Sequence, residues 1–313
     1  MTAGTASLDA ADAPDNVPVG IGLILVAVLL LSSMDAAIKL LGERYPLMQL
    51  VFLRSLIGVV PVLAHVAVTR QWHALRTRNM PGHLLRGVFS LCAMGLFFAS
   101  LQALSLPDAT ALFFVAPLIM TALSVPLLKE HVGPRRWAAV VVGLCGVLII
   151  VRPGNGVFGW AALLPMGAAL SYSLIIVATR FVGRSETAPA MALWYTAVPI
   201  TVGAAAMPFV WVAPTPVDWL IFAAAGCCGG FGILLLSAAF RLAPVGALAP
   251  FDYTALLWAA AWGWLIWSDL PDLWTLVGVA VIAASGLYII RREAVARRAA
   301  KKNPRPGGPG GDG

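Results

Sequence analysis

The sequence predicts an all-α membrane protein of ten transmembrane helices, arranged as two inverted five-helix repeats. Three observations carry that expectation. Sixty per cent of the residues are hydrophobic, 11% are charged and the mean hydropathy is +0.88, which excludes an ordinary soluble domain. Lysine and arginine are distributed very unevenly between alternate connections of the oily segments. One stretch of the chain also repeats 138 residues further on.

A bilayer span needs about 17–25 mostly apolar residues. Breaks at proline, glycine and charge give ten segments: 18–41, 47–68, 83–104, 108–128, 136–151, 159–180, 189–210, 218–240, 245–267 and 273–290. Interior prolines at Pro117, Pro165, Pro199 and Pro250 are tolerated where neighbours or water satisfy the freed carbonyls. With the N-terminus in the cytoplasm, seventeen of the 21 Lys and Arg fall in inward segments, Arg86 among them. Only Arg44 and Arg152 fall in outward loops, while Lys39 and Arg54 lie within spans. That bias implies a multi-pass protein of the cytoplasmic (inner) membrane with both termini cytoplasmic.

ALSLPDATALFFVAPL at 103–118 aligns with RLAPVGALAPFDYTAL at 241–256, and GVLIIVR at 146–152 echoes GLYIIRR at 286–292. Each unit therefore holds five spans, and an odd number forces the two copies into opposite orientations. Inverted repeats of this kind let transporters alternate access around a site near the midplane. The chain divides accordingly: an acidic, disordered cytoplasmic tail over 1–16, a first repeat over 17–152, a second over 156–292, and a disordered basic cytoplasmic tail over 293–313. The N-terminal tail carries acid and no base, the reverse of a signal peptide.

MDAAIKLLGERYP at 34–46, FLRSLIG at 52–58 and the long run at 103–154, with Pro117, Glu130, Gly143 and Gly146, resemble the EamA family of the drug/metabolite transporter superfamily. The resemblance covers residues 17–292 and implies two EamA repeats and transport of a small organic solute. Family members move amino acids, amines, nucleosides, riboflavin, S-adenosylmethionine and metallophores, in either direction. The Asp-to-Lys pattern of the first span looks most like the riboflavin and S-adenosylmethionine uptake branch. The repeats differ chemically: Asp252 stands where the first has Phe114, and SDLPD at 268–272 replaces the region of Glu130.

Charged side chains within spans cost at least about 2.5–3.5 kcal/mol each, so they need a partner, water or a function. Asp35 suits a cationic group or a coupling proton, and Arg54 suits a carboxylate or phosphate bidentately. Both lie about seven residues inside their spans, roughly 10 Å deep, so they can meet. Lys39, four residues from Asp35, can snorkel to the outer interface. Asp252 follows Pro250 in the ninth span with no base near it in sequence. Gln102, Tyr172, Trp194, Tyr195 and Tyr253 offer rings or hydrogen bonds to a planar substrate, as do Gln49 and Trp258, although packing or interface anchoring explains each taken singly.

Several signals point away from other chemistry. Cys92, Cys145, Cys227 and Cys228 all fall in apolar runs without zinc spacing. His65, His73, His83 and His131 show no metal-ligand spacing, and no phosphate loop is present. No cofactor or metal is therefore expected. The net charge of +7 is scattered through short loops, which argues against nucleic acid and leaves a small-molecule substrate, with a proton as candidate co-substrate, and the bilayer as partners. GCCGG at 226–230 has the small-residue spacing of close helix packing or of a homodimer contact. A polytopic enzyme acting on a lipid-linked substrate would want paired acids or a His/Asp cluster, whereas these acids stand singly inside helices. Export and uptake are not separated by any residue.

Overall fold

The computed structural model describes residues 16–77, 79–128, 133–152, 159–182, 186–243, 248 and 251–302. Glu130, Pro250, residues 1–15, 156–158 and 303–313 lie outside them. The described residues form α-helices and short 3-10 turns, with no strand among them. In chain order the helices are α1 (Val17–Gly42), α2 (Leu47–Val68), α3 (Met80–Ala103), α4 (Leu106–Phe113), α5 (Ala116–Leu128) and α6 (Pro134–Val151). They continue with α7 (Leu163–Val182), α8 (Ala188–Val210), α9 (Pro216–Leu242), α10 (Thr254–Trp267) and α11 (Leu273–Lys302).

The helix starts follow from local chemistry. The side chains of Asn79, Ser105, Thr187 and Thr215 each accept a backbone N–H three residues on, and each is followed within two positions by a proline. The cap satisfies an orphan amide, and proline fits the first turn because its missing N–H is not needed there. Among the described residues, seven segments are long and apolar enough to cross a membrane: Val17–Gly42, Leu47–Val68, Met80–Ala103, Leu106–Leu127, Trp160–Thr179, Ala190–Val210 and Pro216–Phe240. Three shorter apolar helices are Trp137–Val151, Thr254–Trp267 and Leu273–Ile289.

Two expectations need correcting. The fourth segment is not continuous: it breaks at Phe114 and Val115, and Pro117 sits in the first turn of the new helix. The last helix does not stop at 290 but continues to Lys302, so residues 293–302 are helical rather than part of a disordered tail. Alanine, arginine and lysine supply the propensity that sustains it.

The two sequence halves are interleaved. α1 packs along α9, α2 against α8 and α9, α3 against α7 and α8, α4 against α10, and α6 along α11. Glycines permit the closest of these crossings. A Cβ at Gly230 would lie 2.5 Å from the Gly58 carbonyl, and one at Gly226 would run into Ile57. The GCCGG run is thus occupied within the chain, in close α2–α9 contact.

Polar ties gather one end of the bundle. Asp218 at the start of α9 accepts from Arg44 (3.1 Å), Tyr45 (2.7 Å) and Thr215 (2.6 Å). Gln49 makes a two-way bond with the backbone of Val212, 2.7 and 2.9 Å. Trp267 donates to Glu43, Thr275 to Asp108, and Arg152 pairs with Asp272. The α1–α2, α3–α4, α8–α9 and α10–α11 connections and the end of α6 therefore meet at this end.

Candidate functional site: a polar and aromatic cleft between the halves

Arg54 projects from the second turn of α2 and is 5% exposed. Its Nε donates to the Met34 sulfur at 3.3 Å and its Nη1 faces the Met94 sulfur at 3.8 Å. The guanidinium also lies against α9, where a Cβ at Gly229 would stand 3.1 Å from Nη2 and 2.8 Å from the Met34 sulfur. Thioethers are weak acceptors. They occupy the donors without neutralising the charge. Asp35 is within electrostatic range of Arg54, but no ion pair joins them among the described residues. The two groups share a neighbourhood, as their matched depth predicts, yet sulfur takes the place of the carboxylate.

Tyr195 on α8 links this corner to the rest. It lies within electrostatic range of Arg54, of Arg86 on α3 and of Tyr172 on α7. Tyr172 in turn neighbours Asp252, which also neighbours Tyr253. Rings line the same path: Phe97 meets Phe113 at 5.2 Å, Phe113 meets Tyr172 at 5.6 Å, and Phe114 stacks on Tyr253 at 4.9 Å.

Asp35 and Tyr172 sit on helices that pack against other helices of the bundle, and Asp252 just precedes one. Even so, Tyr172 is 39% exposed, Asp252 is exposed and Asp35 is half-buried. Their accessible surface, beside the neighbouring charges and rings, makes them the candidate lining of a cleft. This one runs from Asp35 on α1, past Tyr195, to Asp252 beside the break that precedes α10. Its walls offer two carboxylates, one guanidinium without a salt bridge, and stacked rings.

The structure does not bring every candidate here. Lys39 donates to the carbonyls of Leu101 and Leu104 at 2.6 and 2.7 Å and lies over the Trp267 ring at 5.3 Å. It therefore closes the C-terminal end of α3, where free carbonyls and the helix dipole favour a cation. Gln102 is exposed at that same end and packs on Gly42. Trp194 stands one position from Tyr195 but faces His83 on α3, with ring centroids 6.3 Å apart. Gln49 serves the Val212 tie, and Trp258 keeps an indole N–H without a partner.

Sequence reasoning missed Arg86, Ser90, Met34 and Met94. Arg86 is not a loop residue; it lies in the second turn of α3 and is 6% exposed. Its signal is the spacing His83, Arg86, Gly87, Ser90, which puts polar and small residues on one face of a helix and leaves all four buried. The methionines carry no such signal, since thioethers are ordinary core filling.

A helical bundle with candidate membrane spans, which gathers charges and rings between its interleaved halves, has the form of a carrier of small organic molecules. The chain belongs to the EamA-like transporter family, whose profile matches residues 18–152 and again 159–291. It is 28% identical over 283 residues to an S-adenosylmethionine uptake transporter of Rickettsia bellii, covering 90% of this chain and 97% of that one. A riboflavin transporter of Rhizobium johnstonii is 30% identical over 222 residues, 70% of this chain and 73% of its own. A pseudopaline exporter of Pseudomonas aeruginosa is 28% identical over 277 residues, 87% and 96% of the two chains. A solved crystal structure shares the fold with a TM-score of 0.63 at 20% identity, covering 90% of this chain and 98% of that one.

Proposed function

We propose that the chain is a secondary active transporter that moves a small organic metabolite across the cytoplasmic (inner) membrane by alternating access. In this reading ten spans form two inverted repeats with both termini cytoplasmic. Meeting of the five outward connections at one end of the bundle supports that topology, because ten alternating crossings would place them together. The tied end is then the outer face.

The observation that carries the reading is the pair of unmatched charges in the cleft. Arg54 faces sulfur instead of an acid, and Asp252 has no ion pair among the described residues. A substrate with an anionic group, a cationic group and a planar ring would match Arg54, the carboxylates of Asp252 or Asp35, and the rings of Tyr172 and Tyr253. An S-adenosylmethionine-like solute has all three, whereas riboflavin has only the ring. Asp35 and Asp252 are also the groups that would carry a coupled proton. Export is the second reading, favoured by the similarity to the pseudopaline exporter; loop charge fixes orientation, while the gradients fix the direction of flux. Gly226 and Gly230 are buried against α2, so a homodimer would use another face.

Uptake of radiolabelled S-adenosylmethionine and riboflavin into proteoliposomes, with and without an imposed pH gradient, tests the assignment. Saturable, gradient-dependent uptake of the sulfonium compound is expected, with weaker movement of riboflavin. Failure to move either compound in either direction would overturn it.

A further inference from the structure

Away from Arg54, a second buried arginine keeps one open donor. Arg86 is 6% exposed; its Nη1 meets His83 Nδ1 at 3.4 Å, and His83 Nε2 meets Glu186 at 3.2 Å. Because the guanidinium can only donate, His83 accepts at Nδ1 and donates at Nε2 to the carboxylate. Among the described residues Arg86 is thus held by the His83 ring, with no ion pair to an acid. Its Nε, one of the two donors of the side-on fork that grips carboxylates and phosphates, has no partner.

Two more donors where α3 packs against α8 are also open. Ser90, one helical turn along the same face of α3 and fully buried, has a hydroxyl without a partner. The hydroxyls of Ser33, Ser100, Ser171 and Ser173 all bond back to a carbonyl of the preceding turn, so Ser90 departs from the pattern of its neighbours. The Trp194 indole N–H, on the stretch of α8 that packs against Gly87, is unpartnered as well. Three open donors, one of them on a cation, suit a ligand group that only accepts.

The α3 face then continues from Ser90 to Met94, whose sulfur faces Arg54. Eight residues separate Arg86 from Met94, about 12 Å of helix rise. Tyr195 lies within electrostatic range of both guanidinium groups. Two anion-gripping groups therefore stand in sequence along one helix face, one at the cleft and one nearer the α2–α3 connection.

We infer that Arg86, Ser90 and Trp194 form a second site that takes a carboxylate or phosphate group of the transported molecule on the cytoplasmic side of Arg54. The inference rests on the transport reading. The anionic group moves between Arg54 and Arg86 as the molecule enters or leaves from the cytoplasm, so neither guanidinium has to release it into an apolar gap.

Two measurements on the full-length protein test this. In proteoliposomes, KM for S-adenosylmethionine is determined separately for each face in wild type, Arg86→Gln, Ser90→Ala and Trp194→Phe, the last of which keeps an aromatic ring and removes the N–H. The expected result is a KM at the cytoplasmic face raised about tenfold more than at the opposite face for Arg86→Gln, and about threefold more for the other two. Equal changes at both faces, or none, overturn the site. In detergent, inorganic phosphate and acetate are added to the same proteins, and the melting temperature is followed. Wild type is expected to be stabilised by at least one of them, Arg86→Gln by markedly less because only Arg54 then remains to bind the anion, and Arg86→Lys to an intermediate extent; an Arg86→Gln response equal to wild type overturns the site. An unresponsive wild type overturns the site even if transport is normal. A responsive wild type that transports nothing overturns the transport reading and keeps the site. If Arg86→Gln does not fold, Ser90→Ala and Trp194→Phe decide.

Discussion

The ring of Phe114 stacks on the ring of Tyr253 at a centroid separation of 4.9 Å and an interplanar angle of 23°. These residues belong to corresponding stretches of the two repeated sequences, and each marks a helix break: α4 gives way to α5 at Phe114, and α10 begins just after Tyr253. The two interruptions therefore touch in the middle of the bundle, beside Asp252. Breaks of this kind free backbone groups where a substrate can use them.

The Tyr253 hydroxyl is buried without a partner and lies directly against Gly286, where a Cβ would collide with it. Tyr253→Phe should leave the melting temperature unchanged or raise it slightly, because an unmade bond is removed, at about 1–3 kcal/mol for a buried polar group. Gly286→Ala should lower it. The double variant should recover most of that loss, since the colliding oxygen is gone. A double-mutant cycle on thermal melts checks the sign of the coupling.

Asp35→Asn and Asp252→Asn should each abolish uptake while membrane levels stay near wild type. Amide replaces carboxylate at the same size and removes both the charge and the exchangeable proton. Parallel immunoblots and uptake assays separate this from loss of fold, which would mark the two acids as structural.

Gly229→Ala should weaken substrate binding with little loss of protein. Its Cβ would press on Arg54 Nη2 and the Met34 sulfur, at 3.1 and 2.8 Å, and shift the guanidinium by tenths of an ångström. A KM about tenfold higher, at near-normal abundance, is expected from uptake kinetics; an unchanged KM would remove Arg54 from the substrate path.

Lys39→Met should lower the melting temperature and change KM by less than about twofold. The substitution keeps the apolar stem but strands the carbonyls of Leu101 and Leu104. Each buried orphan acceptor costs about 1–3 kcal/mol, and water at this end of α3 reduces that. Melting curves and uptake kinetics on the same preparation distinguish the two effects.

Asp272 gives a pH dependence outside the spans. Burial pushes its carboxyl up, but the Thr275 backbone N–H and the Arg152 guanidinium outweigh this and hold it below the usual carboxylate range. A carboxyl depressed on folding stabilises the fold above its unfolded pKa, about 3.9, and that contribution is lost as pH falls through the lower folded value. The stability difference between wild type and Asp272→Asn should therefore be full at pH 6–7, shrink below about pH 4 and vanish in stronger acid. Melting temperatures across that range check it.

Much of the fold is legible in the sequence because lipid leaves few choices. Oily length sets the helices, and Pro81, Pro107, Pro189 and Pro216 mark where four of them begin. The break at Phe114 is less legible, since Pro117 alone reads as a tolerated kink. The extension of α11 to Lys302 was hidden by charge, which reads as solvated chain unless a preceding helix carries it forward. At the site, the spans announce Asp35, Arg54 and Asp252 because ionisable groups in oil require a reason. Lys39 is announced on the same ground and proves to close a helix end, because a cation suits a substrate and a row of carbonyls equally well. Arg86 was concealed by its position near a connection, where arginine ordinarily sets orientation. Only the packing of α3 against α8 shows that it is buried.

The choice of sulfur beside Arg54 has a kinetic meaning. A carboxylate clamped on that guanidinium would form a strong bond that an arriving substrate must first break, and the carrier would be slow to load. Met34 and Met94 hold the group in position with contacts weak enough to surrender at each turnover. They resemble a latch more than a lock, and replacing either by glutamate should leave a protein that folds well and cycles poorly.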